Sequence, residues 1–111
     1  MDLLTRTEEI ILLSVHELRD SAYGVTIRDL AADLTGRRWS IGAIYVPLDR
    51  LTRNGFLKSH SGDPTHQRGG RRKRLYRLTA KGVTALKETK ELQDKLWAAI
   101  PGVSALRPRP V

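Results

Sequence analysis

The stretch from Gly62 to Lys73 constrains the fold more than any other part of the chain: it is polar, carries Asp63-Pro64 and Gly69-Gly70, and cannot be held in a core. Short strand candidates flank it, Phe56 to Ser61 before and Arg74 to Leu78 after. In the second, the period of two sets Tyr76 and Leu78 on one side. The two strands and their turn read as an antiparallel hairpin with a long basic tip.

Charge is concentrated at the same place. The 111 residues include 20 Lys and Arg against 12 Asp and Glu, a net charge of +8. Arg68, Arg71, Arg72, Lys73, Arg74 and Arg77 fall in one stretch with no acid among them. Like charges packed around a glycine turn repel one another unless an anion is the intended neighbour, so a polyanionic partner is expected. No apolar run approaches the roughly 20 residues that would cross a bilayer, so membrane insertion is not expected. With 0 cysteines, disulfide and thiolate chemistry are excluded, and 3 histidines far apart make no metal site. Asp2 opens a terminus without a basic stretch before an apolar one, so no secretory signal is read and a cytoplasmic location is expected.

Upstream of the hairpin the apolar residues recur at helical spacing. From about Thr7 to Leu18, Ile11, Val15 and Leu18 share a face that Ile10, Leu12 and Leu13 broaden, more than a one-sided helix requires. Thr5 and Glu8 have capping-box spacing, so this helix starts just after Thr5. Asp20 to Gly24 breaks the pattern. Ile27, Leu30, Ala31 and Leu34 then mark an amphipathic helix from about Val25 that Gly36 stops. After Arg37 and Arg38, Ser40 is an N-cap, with Trp39 placed to staple onto Ile44. Ile41, Ile44, Leu48 and Leu51 form a third helix ended by Asn54-Gly55, leaving Gly42, Ala43, Val46, Asp49, Arg50 and Arg53 on the opposite face. Pro47, inside it, removes one backbone bond and predicts a kink. Thr79 caps a fourth helix to about Ala99, and Pro101, Gly102, Pro108 and Pro110 mark a tail that does not order itself.

Three helices followed by a two-stranded hairpin make the winged helix-turn-helix arrangement, in which the third helix enters the major groove and the hairpin tip reaches the backbone beside it. The predicted fold class is therefore mainly α with a small β-hairpin. A winged helix-turn-helix domain occupies residues 1–79, a C-terminal dimerisation helix 80–100 and a flexible tail 101–111. The fourth helix has two apolar faces. Val83 and Leu86 are expected to close the winged domain, while Ala85, Thr89, Leu92, Leu96 and Ala99 alternate four and three apart, the seam spacing of a helix that meets another helix.

Three linked stretches carry a resemblance. Tyr23-Gly24 before the second helix, WSIGAIYVPLDRLTRNGFL from Trp39 to Leu57, and GGRRKRLYRLTAKG from Gly69 to Gly82 together resemble the PadR-like transcriptional regulators. Many members of that family carry proline at the positions held here by Ile41 and Val46, whereas this chain has Pro47. The resemblance implies repression, and pairing of two protomers through the C-terminal and N-terminal helices, which would account for the over-apolar first helix. It places Ile11, Val15, Thr89, Leu92, Leu96 and Trp97 at a homodimer interface, where Trp97 would also be the stacking partner of a small aromatic effector.

The expected DNA-binding residues are Ser40, Gly42, Ala43, Tyr45, Val46 and Arg50 on the third helix, and Arg68, Arg71, Arg72, Lys73 and Arg74 on the wing. Gly42 and Ala43 allow close approach of the helix start, whose free amides favour a phosphate. Tyr45 lies at the edge of the apolar stripe with its hydroxyl free to reach a phosphate. Arg50 and Arg53 come late in the helix, where backbone contact is expected rather than base reading. Double-stranded operator DNA is thus the expected partner. No cofactor is expected, and no nucleophile or histidine constellation supports an enzyme. The other reading is an RNA- or ribosome-associated winged-helix protein, which would share the basic wing.

Overall fold

Thr5 opens helix α1 (Arg6–Leu18) with a complete capping box, its hydroxyl accepting from the Glu8 amide while its own amide donates to the Glu8 carboxylate at 2.8 Å. The computed structural model describes residues 1–64, 72–100 and 102–107. A 3-10 turn, Arg19–Ser21, leads to α2 (Gly24–Thr35), which stops at Gly36 in left-handed backbone with φ 66°. Ser40 caps α3 (Ile41–Arg53), its hydroxyl accepting from the Ala43 amide at 3.1 Å. Strands β1 (Leu57–Pro64) and β2 (Arg72–Leu78) pair antiparallel, Leu57 opposite Leu78 and Ser59 opposite Tyr76, with an irregularity between Ser61 and Pro64. Thr79 caps α4 (Ala80–Ala99) by accepting from the Gly82 amide.

Both strands run further toward the tip than side-chain pattern predicts, because the ladder is made by backbone groups and continues past the last apolar residue. The kink expected at Pro47 leaves no break, since α3 is helical from Ile41 to Arg53. The bond that Pro47 removes belongs to the carbonyl of Ala43, an exposed residue whose carbonyl solvent can satisfy.

The core gathers Ile11, Leu12 and Val15 from α1, Ile27 and Ala31 from α2, and Ile44, Leu48 and Leu51 from α3, closed by Leu57, Tyr76 and Ala85. The Tyr76 amide donates to the Ala22 carbonyl at 2.9 Å, so the α1–α2 connection lies along β2 as a third, one-bond edge. At the other end the Thr79 hydroxyl donates to the Gly55 carbonyl at 2.6 Å and Lys81 Nζ to the Asn54 carbonyl at 2.8 Å. The start of α4 is thereby fixed to the end of α3.

Four residues expected to meet a partner are interior instead, Ala85 of the α4 seam among them. Ile11 and Val15 are buried in the protomer's own core, and Thr89 is buried with its hydroxyl donating to the Ala85 carbonyl at 2.7 Å. The physical reason is that the first half of α4 closes the winged domain over α1, and small Ala85 and Thr89 are the residues that let it approach. Val83, expected to close the domain, is partly exposed at its edge, where it lines a hollow with Val15, Tyr76 and Leu78. The tail is not wholly without structure, because Gly102 at φ 75° admits a 3-10 turn at Val103–Ala105. No helix among the described residues is long and apolar enough to cross a membrane.

Gly82 marks the closest approach of α4 to the hairpin base: a Cβ there would overlap the Phe56 carbonyl oxygen, a backbone atom that cannot rotate aside. Gly82→Ala is therefore expected to destabilise the fold by about 1–3 kcal/mol, despite the better helix propensity of alanine. Thermal unfolding followed by circular dichroism should show a drop of about 4–8 °C per kcal/mol for a domain of this size. An unchanged midpoint would mean that α4 does not sit this close.

Candidate nucleic-acid interface

The outer face of α3 begins beside Ser40 and runs through Gly42, Ala43, Val46, Asp49 and Arg53, all exposed. Its aim is set from beneath by Ile44, Leu48 and Leu51 in the core, and at its start by Trp39, which packs on the core and donates Nε1–H to the Thr35 hydroxyl at 3.0 Å. Tyr45 is half-exposed, and the hydroxyl end of its ring lies against Gly24, where a Cβ would overlap the ring. Glycine at the first position of α2 is thus what allows Tyr45 to bridge α2 and α3.

The cations divide into held and free. Arg50, expected at the backbone, has its Nε 3.6 Å from the Glu8 carboxylate, so it ties α3 to α1. Arg77 faces Asp20 at 3.8 Å, toward the α1–α2 connection. Lys73 places Nζ 4.2 Å from the centroid of the Tyr23 ring, a cation–π contact that steadies the base of the wing while leaving the ammonium accessible. Arg74 is exposed, and with Asp49, Thr52, Arg53 and Tyr76 it lines a hollow between α3 and β2. Burial foremost, then the Asp49 carboxylate, pushes the Tyr76 phenol above its ordinary pKa, with Arg74 opposing, so it is a neutral wall of that hollow. Arg68 and Arg71 lie outside the described residues; Arg72 is placed as the first residue of β2.

Sequence reasoning takes Arg37 and Arg38 only as a link and does not count them among the candidate cations of the interface. Both are exposed immediately before the α3 cap, and among the described residues neither forms an ion pair. The signal that could have found them is a basic pair two residues ahead of an N-cap. It sets two guanidinium groups beside the helix end whose amides already favour an anion. Exposed cations thus stand at both ends of the α3 face, with Arg53, Lys73 and Arg74 at the far one.

On the opposite side of the molecule, α1 and α4 are joined by the Gln93 amide donating to the buried Glu9 carboxylate at 3.2 and 3.3 Å, while Arg6 donates to the same group at 2.9 Å. Leu13, the exposed apolar residue of α1, lines a hollow there with Leu86, Lys90 and Gln93. Beyond it the end of α4 carries Leu96, 55% exposed, Trp97, 60% exposed, and Ile100, also exposed.

The profile of the transcriptional regulator PadR-like family matches residues 11–88. Comparison with curated protein sequences finds no match. Among solved structures, a transcriptional regulator from Clostridium thermocellum is similar at 28% identity and a TM-score of 0.65, covering 86% of this chain and 89% of that one. A PadR-like transcription factor from Bacteroides fragilis is similar at 25% identity and a TM-score of 0.70, covering 83% of this chain and 84% of that one. A PadR-like transcriptional regulator from Bacillus cereus shares the fold at 19% identity and a TM-score of 0.72, covering 90% of this chain and 92% of that one. With the family profile spanning the core helices, the wing strands and the first half of α4, this chain belongs to the PadR-like family and is a winged-helix, DNA-binding transcriptional regulator.

Proposed function

We propose that the protein is a homodimeric repressor that occupies a pseudo-palindromic operator and blocks transcription from it. The observation that carries this reading is the end of α4, where Leu96, Trp97 and Ile100 are exposed together beyond the winged domain. Contiguous apolar surface of this kind is an interaction site, and a two-fold pair made through it presents two α3 faces to one duplex. Each α3 would enter a major groove about 34 Å from the other, with the wings on the neighbouring phosphates. The DNA contacts are assigned to Ser40, Gly42, Ala43, Tyr45 and Val46 with Arg37, Arg38, Arg53 and the wing cations. Arg50 orients α3 through Glu8.

A planar aromatic molecule stacking on Trp97 at that interface would release the DNA by changing the spacing of the two α3 helices. Protection mapping on the duplex upstream of the protein's own coding sequence tests the reading. Two protected patches about 10 base pairs apart, centre to centre, with a fall in transcription in vitro, are expected. A single asymmetric patch would contradict the symmetric dimer, and preferential retention by structured RNA over duplex DNA would favour a role on RNA.

A further inference from the structure

From Ile41 to Pro47, the part of α3 that leads into a groove, Tyr45 alone carries a polar side-chain group. The Ser40 hydroxyl before it accepts from the Ala43 amide at 3.1 Å, the hydroxyl end of Tyr45 is turned back against Gly24 of α2, and the remaining residues of the segment are apolar or glycine. What the segment presents is Val46, 64% exposed, the most exposed large apolar side chain in any of the four helices. Gly42 and Ala43, one turn earlier on the same face, have no bulk to hold the helix away from the groove floor. The cations at either end, Arg37 and Arg38 before and Arg53 and Arg74 after, complement the phosphate rows on the two sides of a groove.

An apolar side chain pressed into a major groove meets one apolar feature there, the C5-methyl group of thymine. We propose that Val46 is a specificity-determining residue that selects a pyrimidine C5-methyl group, thymine in unmodified DNA, at one position in each half-site. The assignment rests on α3 lying in the major groove. Burial of the methyl against the isopropyl group favours thymine over cytosine, and it favours 5-methylcytosine over cytosine for the same reason. Asp49, one turn later, is the next polar side chain along this face.

The test uses the full chain and duplexes selected by it from a randomised library. Deoxyuridine then replaces thymidine one position at a time, and binding is followed by fluorescence anisotropy. At one position per half-site, loss of the methyl should weaken binding by about fourfold, the effect of one buried methyl-sized group. At a C·G pair placed at that position, 5-methylation of the cytosine should strengthen binding by a similar factor. Val46→Ala, an exposed substitution that leaves the melting midpoint unchanged, should reduce the thymidine-to-deoxyuridine ratio to near one. Equal binding of thymidine and deoxyuridine duplexes at every position, or a ratio that persists in Val46→Ala, overturns the assignment alone. Retention of no duplex from the library would overturn the groove reading and the assignment with it.

Discussion

Raising the salt concentration from about 50 to 200 mM is expected to weaken operator binding by about a thousandfold to a hundred-thousandfold, the loss that follows when about 6–10 phosphates are neutralised. The cations that would do so are exposed. Each protomer presents Arg37, Arg38, Arg53, Lys73 and Arg74, none of them paired with a carboxylate among the described residues, and the sequence adds Arg68, Arg71 and Arg72 on the wing. A dimer doubles the number. Every phosphate neutralised releases condensed counterions, so the logarithm of affinity falls linearly with the logarithm of salt, with a slope of about 0.9 per phosphate. Lys73→Ala with Arg74→Ala should lower that slope by about 1 for each phosphate no longer neutralised and weaken all duplexes alike, because these groups position the protein and do not read bases. Arg50→Ala should change the slope less, since the guanidinium is engaged by Glu8. A nearly flat salt dependence would contradict the assigned interface.

Leu96→Lys combined with Trp97→Lys is expected to convert the protein to a monomer and to reduce operator affinity by about a hundredfold to ten-thousandfold, the range separating two linked binding units from two independent ones. In the dimer these changes bring four ammonium groups into one apolar contact, where unpaired charge is costly. The winged domain should be unaffected, because neither residue belongs to its core, and the melting midpoint of the isolated chain serves as the control. Sedimentation reports the mass and anisotropy the affinity. Unchanged mass with unchanged affinity would show that the end of α4 is not the dimer contact.

Local chemistry makes the helices readable from sequence. Thr5 with Glu8, Ser40, Thr79 and Gly36 are caps whose partners lie within a turn, so the starts of α1, α3 and α4 and the end of α2 follow from neighbouring residues alone. The strand ends are less legible, because backbone pairing leaves no mark on side-chain pattern once both strands become polar. Periodicity also says which face is apolar without saying what covers it. That is why Ile11, Val15 and Thr89 are expected at a partner surface and yet lie inside the protomer, while Leu13, which the pattern names only as broadening the apolar face, is exposed.

The interface is legible in its basic wing and its small, shallow α3 face, but not in the contacts that aim it. Glu9 and Gln93 are 84 residues apart, and Tyr45 reaches back across α2 to Gly24. No local motif announces such pairs. The Glu8–Arg50 ion pair is a further case: Glu8 reads as a capping residue and Arg50 as a surface cation, and only the packing of α1 against α3 joins them.

Sedimentation velocity of the full chain with a fluorescent duplex carrying the protected sequence, at low salt, tests the central claim most directly. Two chains on each duplex, with the free protein already dimeric, is the predicted result. A monomer in solution that associates with no duplex, or that saturates a symmetric site with one chain, would contradict it.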